Sequence, residues 1–117
     1  MNLIQRQYRI VKLSKKLEFF ISQELNITQV FKHVTLTKVS NYIATCALEK
    51  SEDCEDCDDL TQCLIALAYC AEQLPTERNS TQVIALFIIK TASEKYPLLQ
   101  PMLDKCPKTQ SYLNMLS

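Results

Sequence analysis

Asp58-Asp59-Leu60-Thr61-Gln62-Cys63-Leu64-Ile65-Ala66-Leu67-Ala68-Tyr69-Cys70-Ala71-Glu72-Gln73-Leu74-Pro75 is the stretch that decides the fold. It reads as one helix with both ends marked. Asp58 or Asp59 offers a side-chain oxygen to the amides that a helix leaves unbonded at its start. Pro75 stops it, because proline has no amide hydrogen and its ring clashes with the preceding turn. Between these marks Leu60, Cys63, Leu64, Leu67, Cys70, Ala71 and Leu74 recur at three- and four-residue intervals, a stripe that one helix face can bury.

The flanking sequence has the same form. Downstream, Asn79 or Ser80 caps a helix expected over 80–95. Its segment Val83-Ile84-Ala85-Leu86-Phe87-Ile88-Ile89 is apolar on every side. Such a helix belongs at the centre of a bundle or in a dimer interface, with Val83, Ile84, Phe87 and Ile88 as the core or dimer residues. Pro97, Pro101 and Pro107 divide the C-terminal tail into short helices near 97–105 and 108–116. Upstream, a first helix is expected over 2–25, with Leu3, Ile10, Leu13, Leu17 and Phe20 on one seam. Asn26 followed by Gln29 has the spacing of a capping box. Val34-Thr35-Leu36-Thr37 is rich in β-branched, mediocre helix formers. A break is therefore expected there, between a short helix over 27–33 and a longer one over 37–49 that turns Val39, Ile43, Cys46 and Ala47 to the core. With no repeat, linker or low-complexity tract, the expectation is an all-α, single-domain bundle of five to six helices across residues 1–117.

Composition narrows the chemistry. The chain has 117 residues, 47% of them hydrophobic, and no glycine. Ordinary usage would supply roughly eight glycines at this length. Turns that need positive φ must use Asn or Asp instead, and two-residue hairpins are disfavoured. A dinucleotide-binding fingerprint, a phosphate-cradling loop and a Gly-x-Ser-x-Gly nucleophile elbow are excluded, since each requires glycine. His33 is the only histidine. It is thirteen residues from Cys46, and no Glu-x-x-His pair exists for a di-iron bundle. Catalysis is not expected.

Formal net charge is zero but polarised. Residues 1–38 carry seven Lys/Arg against two Glu, and residues 39–59 carry one Lys against seven acids. This marks Arg9, Lys12, Lys16, Glu52, Asp53, Glu55 and Asp56 as a candidate interaction surface. The plainer reading is that the basic first helix packs beside the acidic loop of its own chain. The acidic residues lack the alternate spacing and mid-loop glycine of a calcium loop. The longest apolar run, 83–89, is far short of a membrane span, and the N-terminus lacks the apolar core of a signal peptide. The expected location is cytoplasmic, with no membrane partner. The sequons at Asn26 and Asn79 then act as helix caps rather than glycan acceptors.

In the cytosol the six cysteines are expected as thiols or metal ligands rather than disulfides. Cys54-x2-Cys57 is a chelating pair. Cys63 is one turn into the following helix, and Cys46, at the end of the preceding one, supplies a fourth thiolate. These four form the candidate metal set, for zinc or an iron–sulfur cluster. The segment Cys54-Glu55-Asp56-Cys57-Asp58-Asp59-Leu60-Thr61-Gln62-Cys63-Leu64-Ile65-Ala66-Leu67 locally resembles the cluster-binding stretch of the WhiB-like regulators. In that family a Cys-x2-Cys-x5-Cys triplet runs into a helix and an upstream cysteine completes a 4Fe–4S site. The resemblance covers about fourteen of the 117 residues. The interval from Cys46 to Cys54 is shorter than the family's, and the glycine-rich turn after the triplet is absent. The surrounding carboxylates also oppose an anionic thiolate site and raise thiol pKa values. Cys46, Cys63 and Cys70 lie on apolar stripes, where cysteine packs as a small hydrophobe. The expectation is therefore no cofactor, with zinc or an iron–sulfur cluster as the alternative.

A last motif lies at the expected break. Residues 28–34, a turn, and 37–43 read as a loose helix-turn-helix, with Lys38, Ser40, Asn41 and Tyr42 as base readers. The turn is about two residues short for that motif and lacks its usual glycine, and the chain is neutral with an acidic neighbouring segment, so nucleic acid is the less favoured partner. The function expected is a small non-catalytic helical protein, regulatory or adaptor in role. It acts through a protein partner and forms a homodimer.

Overall fold

In a computed structural model, the structure describes residues 2–27, 32–49, 56–75 and 77–104. Five α-helices make up the described fold: α1 (Leu3–Phe19), α2 (His33–Glu49), α3 (Asp59–Gln73), α4 (Ser80–Lys95) and α5 (Leu99–Leu103). No strand occurs among the described residues, so the all-α bundle is the architecture observed. The helix expected over 108–116 lies outside them.

The caps are where the side-chain chemistry puts them. Asn2 and Asn79 each close a full capping box, with Gln5 and Gln82 reaching back to the cap amide. Asp58 accepts the Thr61 amide at 2.7 Å, which holds its carboxyl below the usual carboxylate range. α3 ends at Gln73, one residue before the Leu74-Pro75 pair. Leu17, Val39, Ile43, Leu67, Ile88, Ile89, Leu99 and Leu103 are fully enclosed. Each large apolar side chain so buried contributes about 1.5–3 kcal/mol relative to exposure. α1 leans along α2 and touches α3 less extensively, while α2 and α3 pack together and each receives α4.

Four expectations are corrected. First, α2 runs unbroken from His33 to Glu49, so the turn of the helix-turn-helix reading is absent. β-Branched residues cost only a few tenths of a kcal/mol each in a helix, less than is gained by burying Leu36, Val39 and Ile43 in continuous register. Lys38, Ser40, Asn41 and Tyr42 do not open a recognition helix, and Ser40 is enclosed in the core.

Second, Asn26 is not an N-cap. Its φ of 54° makes it the only described non-glycine residue in the left-handed region. It takes the conformation that the missing glycines leave to asparagine, and residues 28–31 of the short helix expected over 27–33 lie outside the described residues. Before it, Phe20–Glu24 forms a π turn, with the Leu25 amide donating to the Phe20 carbonyl. The wider turn brings Phe20, Ile21 and Leu25 all to the core.

Third, of the two places expected for α4, the centre of the bundle or a dimer interface, full enclosure at the centre is not met. Ala85, Leu86, Ile88, Ile89 and Ala92 are buried, and Ile84 packs partly against the core. Val83 and Phe87 are 48% and 42% exposed. The even apolar distribution masked a helix with one open side.

Fourth, Leu3 and Leu60 lie outside the stripes assigned to them and face solvent. Each sits in the first turn of its helix, where fewer neighbours reach.

Candidate functional site

The charge pattern places its cations along one side of α1. Arg9, Lys12 and Lys16 follow one another at three and four residues and so share a helix face. That face forms one wall of a groove of about 710 Å3 between α1 and α3. Ile4, Gln5, Tyr8 and Leu13 complete the α1 wall. Gln62, Ile65, Ala66 and Tyr69, again at helical spacing, form the α3 wall, and Ala47 of α2 and Asp56 also line the groove.

Polar contacts fix one end of it. Lys16 Nζ lies 3.2 Å from Asp59 Oδ1 and donates to Gln62 Oε1 at 2.9 Å. Gln62 Nε2 in turn donates to the Cys57 carbonyl at 2.9 Å, tying the turn before α3 to the groove end. Arg6 pairs with Glu49 at 3.7 Å. The polarised charge is thus partly neutralised within the chain, as the plainer sequence reading holds. With Asp59 largely exposed, such a bridge is worth at most about 1 kcal/mol. Lys12 and Lys15 make no ion pair among the described residues. Of the other candidate surface residues, Asp56 lines the groove, while Glu52, Asp53 and Glu55 lie outside the described residues.

Next to the cations runs an apolar line that the sequence reading did not single out. Ile4, Tyr8 and Val11 stand at i, i+4 and i+7, and Ile4 and Tyr8 are 80% and 67% exposed. The signal was present as a second apolar stripe on α1, offset from the Ile10, Leu13 and Leu17 seam. Ile65 and Tyr69 were likewise missed, because each is only half-covered and sits beside the stronger α3 stripe.

The cysteines divide differently from the expected set. Cys46, Cys63 and Cys70 are buried free thiols. Cys46 is partnered by Cys70 and Tyr42 rather than by Cys63, and Gln73 Nε2 donates to the Cys46 carbonyl at 2.7 Å across the α2–α3 seam. The Cys70 thiol bonds to Cys46, which lowers the Cys46 pKa and, with burial, raises that of Cys70. Burial first and the Asp59 carboxylate second push the Cys63 thiol up to about 12. Burial chiefly raises Tyr42 as well. Cys57 is disulfide-bonded, so it presents no thiolate for a metal. This overturns the expectation that all six cysteines are thiols or ligands. Cys54 lies outside the described residues. Among the described residues no three His, Cys, Asp or Glu side chains gather where they could hold a metal ion.

His33 opens α2 and Cys46 lies in its last turn, about 20 Å away along the axis at 1.5 Å per residue. They form no catalytic pair. No helix among the described residues is long and apolar enough to cross a membrane. Comparison with known proteins supplies no relative: no family model matches the chain, and no curated protein or solved structure matches it.

Proposed function

We propose that this chain is a non-catalytic interaction protein whose recognition surface is the outer face of α1 together with the groove behind it. The observation that carries this reading is the exposed line of Ile4, Tyr8 and Val11 beside that groove. Single exposed apolar residues are ordinary, but a contiguous apolar strip rimmed by charge marks a protein contact. Tyrosine and arginine, both present on this wall, are the residue types that anchor such contacts. A second reading, a homodimer through α4, is supported by Val83 and Phe87, exposed one turn apart on one side of that helix.

The test places a photo-crosslinking phenylalanine in position Val11 and irradiates extracts of the source cell. The expected result is a defined protein adduct. Adding Ile4→Asp and Tyr8→Asp should abolish that adduct while leaving the helical circular-dichroism spectrum unchanged. An adduct of undiminished yield in the folded double variant would remove α1 as the recognition surface.

A further inference from the structure

We infer that the α1–α3 groove takes a helical segment of a partner protein whose apolar stripe is flanked by glutamate or aspartate, an inference that rests on the interaction reading above. Three observations converge on this occupant: length, chemistry and charge.

From Ile4 to Lys16 the α1 wall spans twelve residues, or about 18 Å. That matches three turns of a docked helix and exceeds the reach of most small ligands. The exposed apolar line of Ile4, Tyr8 and Val11 continues the groove's surface outward, so the contact extends beyond the cavity itself. Across the groove Ile65 and Tyr69, spaced one turn apart, offer the apolar holes that i, i+3, i+4 and i+7 anchors fill in helix-in-groove recognition.

Charge selects the partner's sign. α1 carries Arg6, Arg9, Lys12, Lys15 and Lys16 against the single acid Glu18. Lys12 and Lys15 flank Tyr8 on the helix surface, both exposed and both without an ion pair among the described residues. An incoming helix with acids beside its apolar stripe meets these ammonium groups, whereas a basic one meets like charge. Nucleic acid fits less well. Lysines and tyrosines suit a single strand, but much of the groove wall is aliphatic, with Ile4, Leu13, Ile65 and Ala66 in its lining. Ile4 and Val11 give bases nothing to stack on.

The experiment titrates the full chain into a fluorescein-labelled fourteen-residue helical peptide of Leu, Ala and Glu, built with leucines at i, i+4, i+7 and i+11 and glutamates on both flanks. Saturable binding in the micromolar range is expected. It should weaken about ten-fold when salt rises to about 1 M, where charges are screened beyond about 3 Å. Lys12→Glu with Lys15→Glu should weaken it at least about ten-fold, and so should Tyr8→Asp. Both variants change exposed side chains, and unchanged circular dichroism verifies their folding. Failure of the peptide to bind overturns the inference. So does equal or tighter binding of the same peptide with lysines for glutamates, of phosphatidylserine vesicles, or of single-stranded DNA. If the acidic peptide fails while the Val11 crosslinker still captures a protein, the recognition surface stands and the partner chemistry assigned here falls. If both fail, both readings fall.

Discussion

Replacing Ser40 by alanine should make this protein more stable. Ser40 is fully enclosed in α2, and its hydroxyl has no hydrogen-bond partner among the described residues. A buried hydroxyl left unpaired costs about 1–3 kcal/mol, while alanine at a helix-interior position gains about half a kcal/mol over serine. Against this stand the dispersion contacts of one oxygen atom, at about 0.1–0.2 kcal/mol each. The balance is a gain of about 1–2 kcal/mol. For 117 residues, an unfolding entropy near 2.1 cal/mol/K per residue turns 1.5 kcal/mol into a rise in Tm of about 6 °C. Urea denaturation followed at 222 nm should move to a higher midpoint with an unchanged slope. Ser40→Val, which adds volume to a closed site, should go the other way by about 1–3 kcal/mol. An alanine variant that is unchanged or less stable than wild type would refute the reasoning, because the hydroxyl would then be bonded in solution and its burial would carry no penalty.

Further outcomes are expected on α3 and α4. The Cys63 thiol, pushed up to about 12, is thiolate in about one molecule in ten thousand at pH 8, so native protein should leave it unlabelled by iodoacetamide while unfolded protein labels it readily. Its raised pKa makes its stabilising effect complete below the unfolded thiol value of about 8.5 and progressively lost as pH climbs toward 12, at up to about 1.4 kcal/mol per pH unit; Cys63→Ala should flatten that alkaline decline in denaturation series at pH 8 to 10, and an undiminished slope would show that the thiol is not its source. On α4, Ile88→Asp puts an unpaired carboxylate in a fully closed position and should unfold the chain, whereas Phe87→Asp should stay folded. If the protein pairs through α4, light scattering on the Phe87 variant will show the mass halved, and an unchanged dimer mass would assign the interface elsewhere.

The helices were legible where side chains act locally. Asn79, Asp58 and Pro75 mark ends through chemistry confined to one turn, and the Cys63, Leu64, Leu67 and Cys70 stripe needs only helical periodicity. What failed was decided by tertiary context. The β-branched residues near Thr37 suggested a break because propensity was weighed without the burial of Leu36 and Val39. Thr37 stays helical, its hydroxyl 3.1 Å from the His33 carbonyl and 3.0 Å from Glu18 Oε1. Asn26 is asparagine whether it caps a helix or takes the left-handed conformation, and only the backbone angle distinguishes the two. For the site, Arg9, Lys12, Lys16 and Asp56 were legible because charge asymmetry survives in one dimension. Tyr8 and Tyr69 were not, since their lining one groove depends on how α1 leans against α3.

The π turn at Phe20–Glu24 has a consequence for how this protein tolerates change. It holds one residue more than an α-helix would use to cover the same rise. Its two ends are clasped by the far end of α4, where the Phe20 and Tyr96 rings lie 5.6 Å apart, the Tyr96 hydroxyl donates to Glu24 at 3.1 Å, and Lys95 donates to the Glu24 carbonyl. The turn is therefore a place where the chain can lose one residue. Deletion of Ser22 or Gln23 closes the segment to α geometry with the Leu25 amide still meeting the Phe20 carbonyl, now four residues back. Leu25 then keeps its place in the core and Glu24 its place beside Tyr96. The same deletion earlier in α1 would rotate everything beyond it by about 100°.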